Sequence, residues 1–192
     1  MHIIYLHGLA SSGKIFNFTQ SKLPKHKATF INYDSAQSIE DSLQFILSAL
    51  PKDEPFSILS HSLGGILGHL VATRSSDEYQ IDHLITISTP FGGSDTAGKL
   101  KWFYPSYKIF KDLAPNSKTL SSISNTPVTK CKFTSLISTA GHLPFVSEIN
   151  DGVVSLESQR ATTAKSTIDI DANHFEVLQD PNTINALKKI VF

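Results

Sequence analysis

The sequence has few of the residues that disulfides, metal clusters and membrane spans require. Cys131 is the single cysteine among 192 residues, so neither an intramolecular disulfide nor a CxxC zinc or redox motif can form. No apolar run approaches the ~18 residues that cross a bilayer. The 17 basic residues balance the 17 acidic ones, which gives no electrostatic reason to expect nucleic acid as a partner. No two of the eight histidines have H-x-x-x-H spacing, so we expect no metal and no cofactor.

The chain start also lacks the basic and apolar segments of a signal peptide. Residues 1–7 (MHIIYLH) lead directly into an apolar strand pattern. We therefore expect a cytoplasmic protein, or an exported one whose signal peptide has been removed. The length predicts a single domain over residues 1–192, and residues 92–127 form an irregular insert without a clear strand pattern.

What the chain does have is an alternation of short apolar runs and helical patterns. The apolar runs predict strands at 2–6, 28–33, 56–59, 83–89, 130–138 and 166–170. Helical spacing predicts helices at 38–50, at 63–72 and from 181 to the end. This alternation predicts an α/β protein whose parallel sheet is covered on both faces. Ligands of such sheets bind beyond the carboxyl ends of the strands.

The segment 56–65 (FSILSHSLGG) has the pattern of a nucleophile elbow. It predicts a buried strand that turns into a helix with Ser62 at the apex. The residues two before and two after the apex must be small, or their side chains would collide in the strained turn. Gly64 meets this need, and Ser60 stands where the usual G-x-S-x-G pattern has glycine. The alternative is a serine-rich turn without chemistry.

A serine hydroxyl needs a base and an acid before it becomes a good nucleophile, and the chain supplies both. Asp151 lies in a loop after the fifth predicted strand, and His174 directly follows the last one. We predict that His174 takes the proton of Ser62 and that Asp151 orients His174. The backbone N–H groups of Leu9 and Leu63 are the predicted oxyanion hole.

Six segments together resemble a small, lidless lipase or esterase of the α/β-hydrolase superfamily. They are 6–9 (LHGL), 60–64 (SHSLG), 88–94 (STPFGGS), 112–117 (DLAPNS), 150–154 (NDGVV) and 173–174 (NH). The resemblance spans almost the whole chain in the family's order, with Ser60 and Asn116 as departures. It implies a three-layer α/β/α sandwich of about six parallel strands. It also implies an ester hydrolase acting on small-molecule or lipid esters through an acyl-enzyme.

Each assignment has a competitor. The Asp-Gly pair at Asp151 is also typical of a plain turn. Asp169 and Asp171 lie nearer to His174 in sequence, but they sit in or at the end of its strand. His142 is a rival base, although it precedes Asp151 and so breaks the usual chain order. We expect His61 to point away from the pocket.

The substrate pocket is less well defined by the sequence. His7, Phe91, Trp102 and Phe103 are its candidate residues. His7 is expected to shape the oxyanion loop rather than to act as a base. The aromatic cluster at 102–110 can equally be an acyl pocket or ordinary packing.

Three other functions stay open at this point. A thioesterase or amidase would use the same triad, and a binding protein with a dead site would explain Ser60. The third is a P-loop NTPase, because residues 8–15 (GLASSGKI) nearly match the P-loop pattern. Ile15 stands where that motif needs the hydroxyl of serine or threonine for magnesium, which argues against it.

Overall fold

The computed structural model describes residues 1–93, 107–115, 117–142 and 149–192. Within these ranges one six-stranded sheet has the order β2-β1-β3-β4-β5-β6, and every neighbouring pair is parallel. The strands are β1 (His2–Leu6), β2 (Lys27–Ile31), β3 (Phe56–His61), β4 (Ile81–Ile87), β5 (Lys132–Ser138) and β6 (Ser166–Ile170). The predicted parallel sheet of about six strands is confirmed.

The helices of the described ranges connect these strands. They are α1 (Asn17–Lys22), α2 (Ile39–Ala49), α3 (Leu63–Arg74), α4 (Ile109–Asp112), α5 (Lys118–Asn125), α6 (Leu156–Arg160) and α7 (Pro181–Val191), with 3₁₀ turns at Gly13–Phe16 and Glu176–Leu178. The sequence predicted α2, α3 and α7. It missed the other helices because segments of four to eight residues carry too few turns for an apolar period. None of the helices in the described ranges is long and apolar enough to cross a bilayer.

Two apolar cores lie on the two faces of the sheet, as the three-layer prediction requires. Within β1, Ile4 and Leu6 pack into one core, while Ile3 and Tyr5 pack into the other. This follows from the two-residue period of a strand, which sends successive side chains to opposite faces. Helices α2 and α3 cover the first core, and Leu187 of α7 belongs to the second.

Side chains cap the starts of α2 and α7. Ser38 caps α2, because its hydroxyl accepts a hydrogen bond from the N–H of Asp41 at 3.1 Å. The Asp41 carboxylate in turn accepts from the Ser38 hydroxyl at 2.7 Å. Asp180 caps α7 through the N–H of Asn182 at 2.7 Å, and Pro181 occupies the first turn.

The sheet brings distant segments together at the carboxyl ends of its strands, and α3 packs closely against the end of β1. A Cβ atom on Gly64 would lie 2.2 Å from the carbonyl oxygen of Leu6 and 2.6 Å from that of His7. Both atoms belong to the backbone at the end of β1, which cannot move aside cheaply. Glycine at position 64 therefore sets how closely the helix that follows β3 lies against the loop that follows β1.

We predict that Gly64→Ala lowers the free energy of unfolding by about 3 kcal/mol, because the new methyl group overlaps fixed backbone atoms. Urea unfolding followed by circular dichroism measures this change. An unchanged unfolding midpoint would contradict the packing argument.

Gly68→Ala is the matched control on the same helix. Its Cβ would meet the Leu84 Cδ1 atom at 2.9 Å, which is the movable end of a side chain. Alanine also gains about 1 kcal/mol of helix propensity over glycine. We expect the control to stay within about 1 kcal/mol of the unsubstituted protein.

Candidate active site

The strand-to-helix turn at Ser62 has the geometry that the elbow pattern predicts. Ser62 has φ 53° and ψ −123°, a strained conformation for a residue with a side chain. Its N–H donates to the carbonyl oxygen of Ile87 at 2.9 Å, which ties the turn to the end of β4. The Ser60 hydroxyl is fully buried and donates to the Ile85 carbonyl at 2.9 Å. Serine in place of the usual glycine is therefore accommodated without an unpaired polar group.

The loop after β1 lies directly against this turn. A Cβ atom on Gly8 would lie 3.1 Å from the Cβ of Ser62. The next residues are Leu9 and Ala10, and Ala10 has φ 49° while its N–H donates to the Ser35 hydroxyl at 2.9 Å. Leu63 is the first residue of α3, where a backbone N–H has no partner inside the helix. The two predicted oxyanion donors, Leu9 and Leu63, thus belong to segments that adjoin Ser62.

Asp151 and His174 form a buried pair, as the sequence predicted. His174 Nδ1 lies 2.8 Å from Asp151 Oδ2, and the His174 N–H donates to the Asp151 carbonyl at 2.9 Å. Because a carboxylate only accepts, Nδ1 carries the proton and Nε2 is left with a lone pair. The structure records no hydrogen bond from the Ser62 hydroxyl to His174 among the described residues. Such contacts commonly tighten only when substrate binds.

The rival acids and the rival base lie elsewhere. Asp169 pairs with Arg160 at 2.6 Å near the surface, and Asp171 is exposed. His142 is exposed as well and makes no pair with a carboxylate in the described part of the chain. Those described residues also contain no cluster of three His, Cys, Asp or Glu side chains that could hold a metal ion.

The Asp151 carboxylate is wholly buried and receives hydrogen bonds on both oxygens. Oδ1 accepts from the N–H groups of Val153 at 3.0 Å and Val154 at 2.7 Å. Oδ2 accepts from the Ser138 hydroxyl at 2.5 Å and the Gln159 amide at 3.1 Å, besides His174. Burial would raise the pKa of Asp151, but the hydrogen bonds from His174, Ser138 and the backbone outweigh it and hold that pKa below its ordinary value.

Gln159 and two serines extend this network beneath the carboxylate. Gln159 also donates to the Ser138 carbonyl and accepts from the Ser138 N–H, both at 3.0 Å. Ser88, which has φ 52°, lies with its hydroxyl 2.7 Å from that of Ser138. Since the Ser138 proton goes to Asp151, the Ser88 hydroxyl donates to Ser138. Sequence reasoning missed Ser138 and Gln159, because nothing in a strand end or a short helix indicates which buried carboxylate it will contact.

His61 is oriented differently from the prediction. It was expected to point away from the pocket, but it lines the cavity beside Ser62. Its Nε2 donates to the His174 carbonyl oxygen at 2.8 Å, and the two rings have centroids 4.7 Å apart. Burial, and to a smaller extent the His174 ring beside it, lower the pKa of His61 to about 3. The side chain is therefore neutral at ordinary pH.

A cavity of about 280 Å³ opens over Ser62 and is mainly apolar. Its lining consists of Gly8, Leu9, Ala10, Ser11, Ile15, His61, Ser62, Leu63, Pro90, Phe110, Leu113, Val153, Val154, His174 and Phe175. The predicted oxyanion residues and two of the three predicted triad residues are in this set. Asp151 lies behind His174, out of contact with the cavity.

Of the pocket residues predicted from sequence, the two that the structure describes, His7 and Phe91, do not line this cavity. His7 is buried, stacks on Tyr33 with centroids 4.3 Å apart and contacts the Gly8 carbonyl through Nδ1 at 2.8 Å. It therefore supports the loop after β1, and burial lowers its pKa. Phe91 is buried in the core between His69 and Phe133. Phe91 is therefore not part of this lining, and His7 lies against the loop after β1, where it was expected. The other two, Trp102 and Phe103, lie outside the described residues, as does Asn116.

No protein-family model matches the chain, and no curated protein matches its sequence. Solved structures do match. The mature form of BlEst2, a lipase of Bacillus licheniformis, has a TM-score of 0.76 at 18% identity over 98% of this chain and 90% of its own. The metagenomic carboxyl esterase MGS0156 has a TM-score of 0.72 at 14% identity, over 91% of this chain and 64% of its own. An enol-lactonase from Burkholderia xenovorans LB400 has a TM-score of 0.64 at 13% identity, over 99% of this chain and 89% of its own. The chain therefore has the α/β-hydrolase fold.

We predict that Ser138→Ala destabilises the protein most strongly near neutral pH. The depressed pKa of Asp151 contributes stability above the unfolded-state value of about 4, and this stability is lost as the pH falls through the folded-state pKa. Removing the Ser138 hydrogen bond raises that pKa, which costs about 1.5–3 kcal/mol at pH 7 and less at pH 3. Urea unfolding at the two pH values measures the difference.

Ser135→Ala is the matched control on the same strand. The Ser135 hydroxyl is also buried, but its partner is the neutral hydroxyl of Thr86 at 3.0 Å. Its loss costs about 1 kcal/mol at either pH. If Ser138→Ala lowered the free energy of unfolding by the same amount at both pH values, the Ser138 hydroxyl would not be stabilising the ionised form of Asp151.

Proposed function

We propose that the protein is a serine hydrolase that cleaves carboxylic esters. The observation that carries this proposal is the buried Asp151–His174 pair, whose imidazole shares an apolar cavity with the strained Ser62. A strained serine at a strand-to-helix turn exposes its hydroxyl at the edge of the sheet. The second nitrogen of the adjacent imidazole has a lone pair with which it can accept that hydroxyl's proton.

The reaction follows from these positions. Ser62 Oγ attacks the acyl carbon while His174 Nε2 takes its proton, and the Leu9 and Leu63 N–H groups stabilise the negative oxygen. The C–O bond to the alcohol breaks, and the alcohol leaves with the proton from His174. Water then attacks the acyl-enzyme, giving its proton to His174, and Ser62 recovers a proton as the acid leaves. Asp151 stabilises the imidazolium at each step.

The cavity lining supports an uncharged ester with apolar groups. Its side chains include no Lys, Arg, Asp or Glu among the described residues. Val153 and Phe175 contribute to the lining and remain partly exposed, which extends the apolar surface outward. A charged substrate would lose its hydration there without gaining an ionic partner. A lipase, a carboxyl esterase and an enol-lactonase are among the proteins of similar fold, which agrees with an acyl-oxygen bond as the target.

The alternatives have less support. A thioesterase or amidase would use the same residues, and no observation favours either. The dead-site hypothesis rested on Ser60, whose hydroxyl is satisfied by the Ile85 carbonyl. The P-loop hypothesis needs a serine or threonine hydroxyl directly after Lys14 to hold magnesium. Ile15 stands there and lines the cavity, and Lys14 is exposed.

We expect a fluorophosphonate to add once to the protein, at Ser62. Intact mass with peptide mapping measures the adduct, and Ser62→Ala should give none. The same variant should lose about 10⁴- to 10⁶-fold in ester turnover, because no other group can form the acyl-enzyme. Ser48→Ala, an exposed serine on α2, is the control and should label like the unsubstituted protein. No adduct on folded protein would overturn the proposal.

A second prediction separates the candidate acids. Asp151→Asn should lower kcat by about 10⁴-fold, because the amide no longer holds the Nδ1 proton of His174 or stabilises its charge. Asp171 is exposed and lies three residues before the proposed base. Asp171→Asn should therefore change kcat by no more than a few fold. Turnover of a soluble chromogenic ester compares the two. A larger loss in Asp171→Asn would show that Asp151 is not the acid.

A further inference from the structure

Another buried histidine, His61, contacts the proposed base, and the mechanism above gives it no role. It is next to Ser62 in sequence and is 1% exposed. Its Nε2 is 2.8 Å from the carbonyl oxygen of His174, and its ring lies against the rings of His174 and Phe175. Its Nδ1 has no hydrogen-bond partner among the described residues.

The hydrogen bonds of His174 to the described residues show why this contact matters. The ring Nδ1 and the backbone N–H both bind Asp151, which orients the imidazole. Both of these contacts belong to the loop between β5 and α6. The bond from His61 comes instead from the last residue of β3, the strand that carries Ser62.

We propose that His61 is a positioning residue that fixes the distance between Ser62 and His174. It does so by anchoring the backbone of the base to the strand end that bears the nucleophile. The proposal rests on the function proposed above. It assigns His61 no proton transfer, because its one available proton points at the His174 carbonyl rather than at the cavity.

The chemistry of the residue suits this role. The donor must reach a carbonyl oxygen from a buried site, and it must carry no charge. His174 becomes positively charged when it takes the proton of Ser62, and a cation with its ring centroid 4.7 Å away would oppose that step. A neutral imidazole donates the hydrogen bond without this penalty. Lysine or arginine at position 61 would carry a positive charge and would oppose the protonation of His174.

Two amide substitutions test the proposal. In His61→Gln the side-chain nitrogen takes the place of Nε2 and can still donate to the His174 carbonyl. In His61→Asn the nitrogen takes the place of Nδ1 and cannot reach it. Both variants are polar and uncharged. We expect kcat to fall by about 10- to 100-fold in His61→Asn, since a displacement of about 1 Å has an effect of this size. His61→Gln should recover most of the rate.

Further measurements distinguish positioning from a structural role. KM for a soluble ester should stay within about twofold in both variants, because substrate binding does not use this bond. The downfield proton resonance of the Asp151–His174 hydrogen bond should persist in His61→Asn, showing that the pair is intact while kcat falls. If His61→Asn does not fold, His61→Met fills the space without a donor and takes its place.

His69 provides the matched control. It is also a buried histidine, with Nε2 3.3 Å from the Thr163 hydroxyl and no partner for Nδ1 in the described part of the chain. Burial lowers its pKa to about 4. It lies on α3, away from the cavity. His69→Asn should reduce the melting temperature and leave kcat within about twofold. Equal loss of kcat in the His61 and His69 variants would overturn the proposal.

Two other outcomes would contradict the proposal that His61 is a positioning residue. Wild-type kcat in His61→Asn would show that the anchor is unnecessary. An equal loss in His61→Gln and His61→Asn would show that the imidazole itself, rather than the donor, is required. Failure of the underlying function is separable, because it would appear as absent fluorophosphonate labelling and absent ester turnover in the unsubstituted protein.

Discussion

The close packing of the first turn of α3 against the end of β1 is the constraint on which the rest of the site depends. Position 64 has no room for a side chain beside the carbonyl of Leu6. With α3 held there, Ser62 stays at a positive φ and its Cβ lies next to Gly8. Ser62, the proposed nucleophile, and the loop of the proposed oxyanion donors are therefore one packed unit, whose arrangement exists before any substrate binds. Such preorganisation is the main source of electrostatic catalysis in enzymes.

A second group of packed residues surrounds Asp151, and it is held together by the hydrogen-bonding needs of a buried carboxylate. An ionised carboxylate without contact with solvent is costly unless its oxygens are hydrogen-bonded. Here five donors from β5, α6, the acid's own turn and His174 meet that requirement. Because four of these five donors belong to buried residues, Asp151 is held in one position. The orientation of His174 follows from it, and His61 connects this unit to the first.

Much of the fold and part of the site could be predicted from the sequence. The strands, α2, α3 and α7 follow from apolar periods and capping residues, which act over a few neighbouring residues. The pairing of Asp151 with His174 follows from the chain order of strand ends. The pocket role predicted for Phe91 and the predicted direction of His61 differ from the structure for a common reason. A side chain at a strand end can turn toward the cavity or toward the core, and packing from remote segments decides which.

The sequence by itself determined the parallel sheet, its covering helices and the residue types at each strand end, because these depend on local period, turn chemistry and volume. Only the tertiary structure decided that Ser138 and Gln159 bind Asp151 and that His61 binds the backbone of His174. Gln159 is 21 residues from Ser138, and His61 is 113 residues from His174. Contacts over such separations arise from how the layers pack, and no local pattern in the chain encodes them.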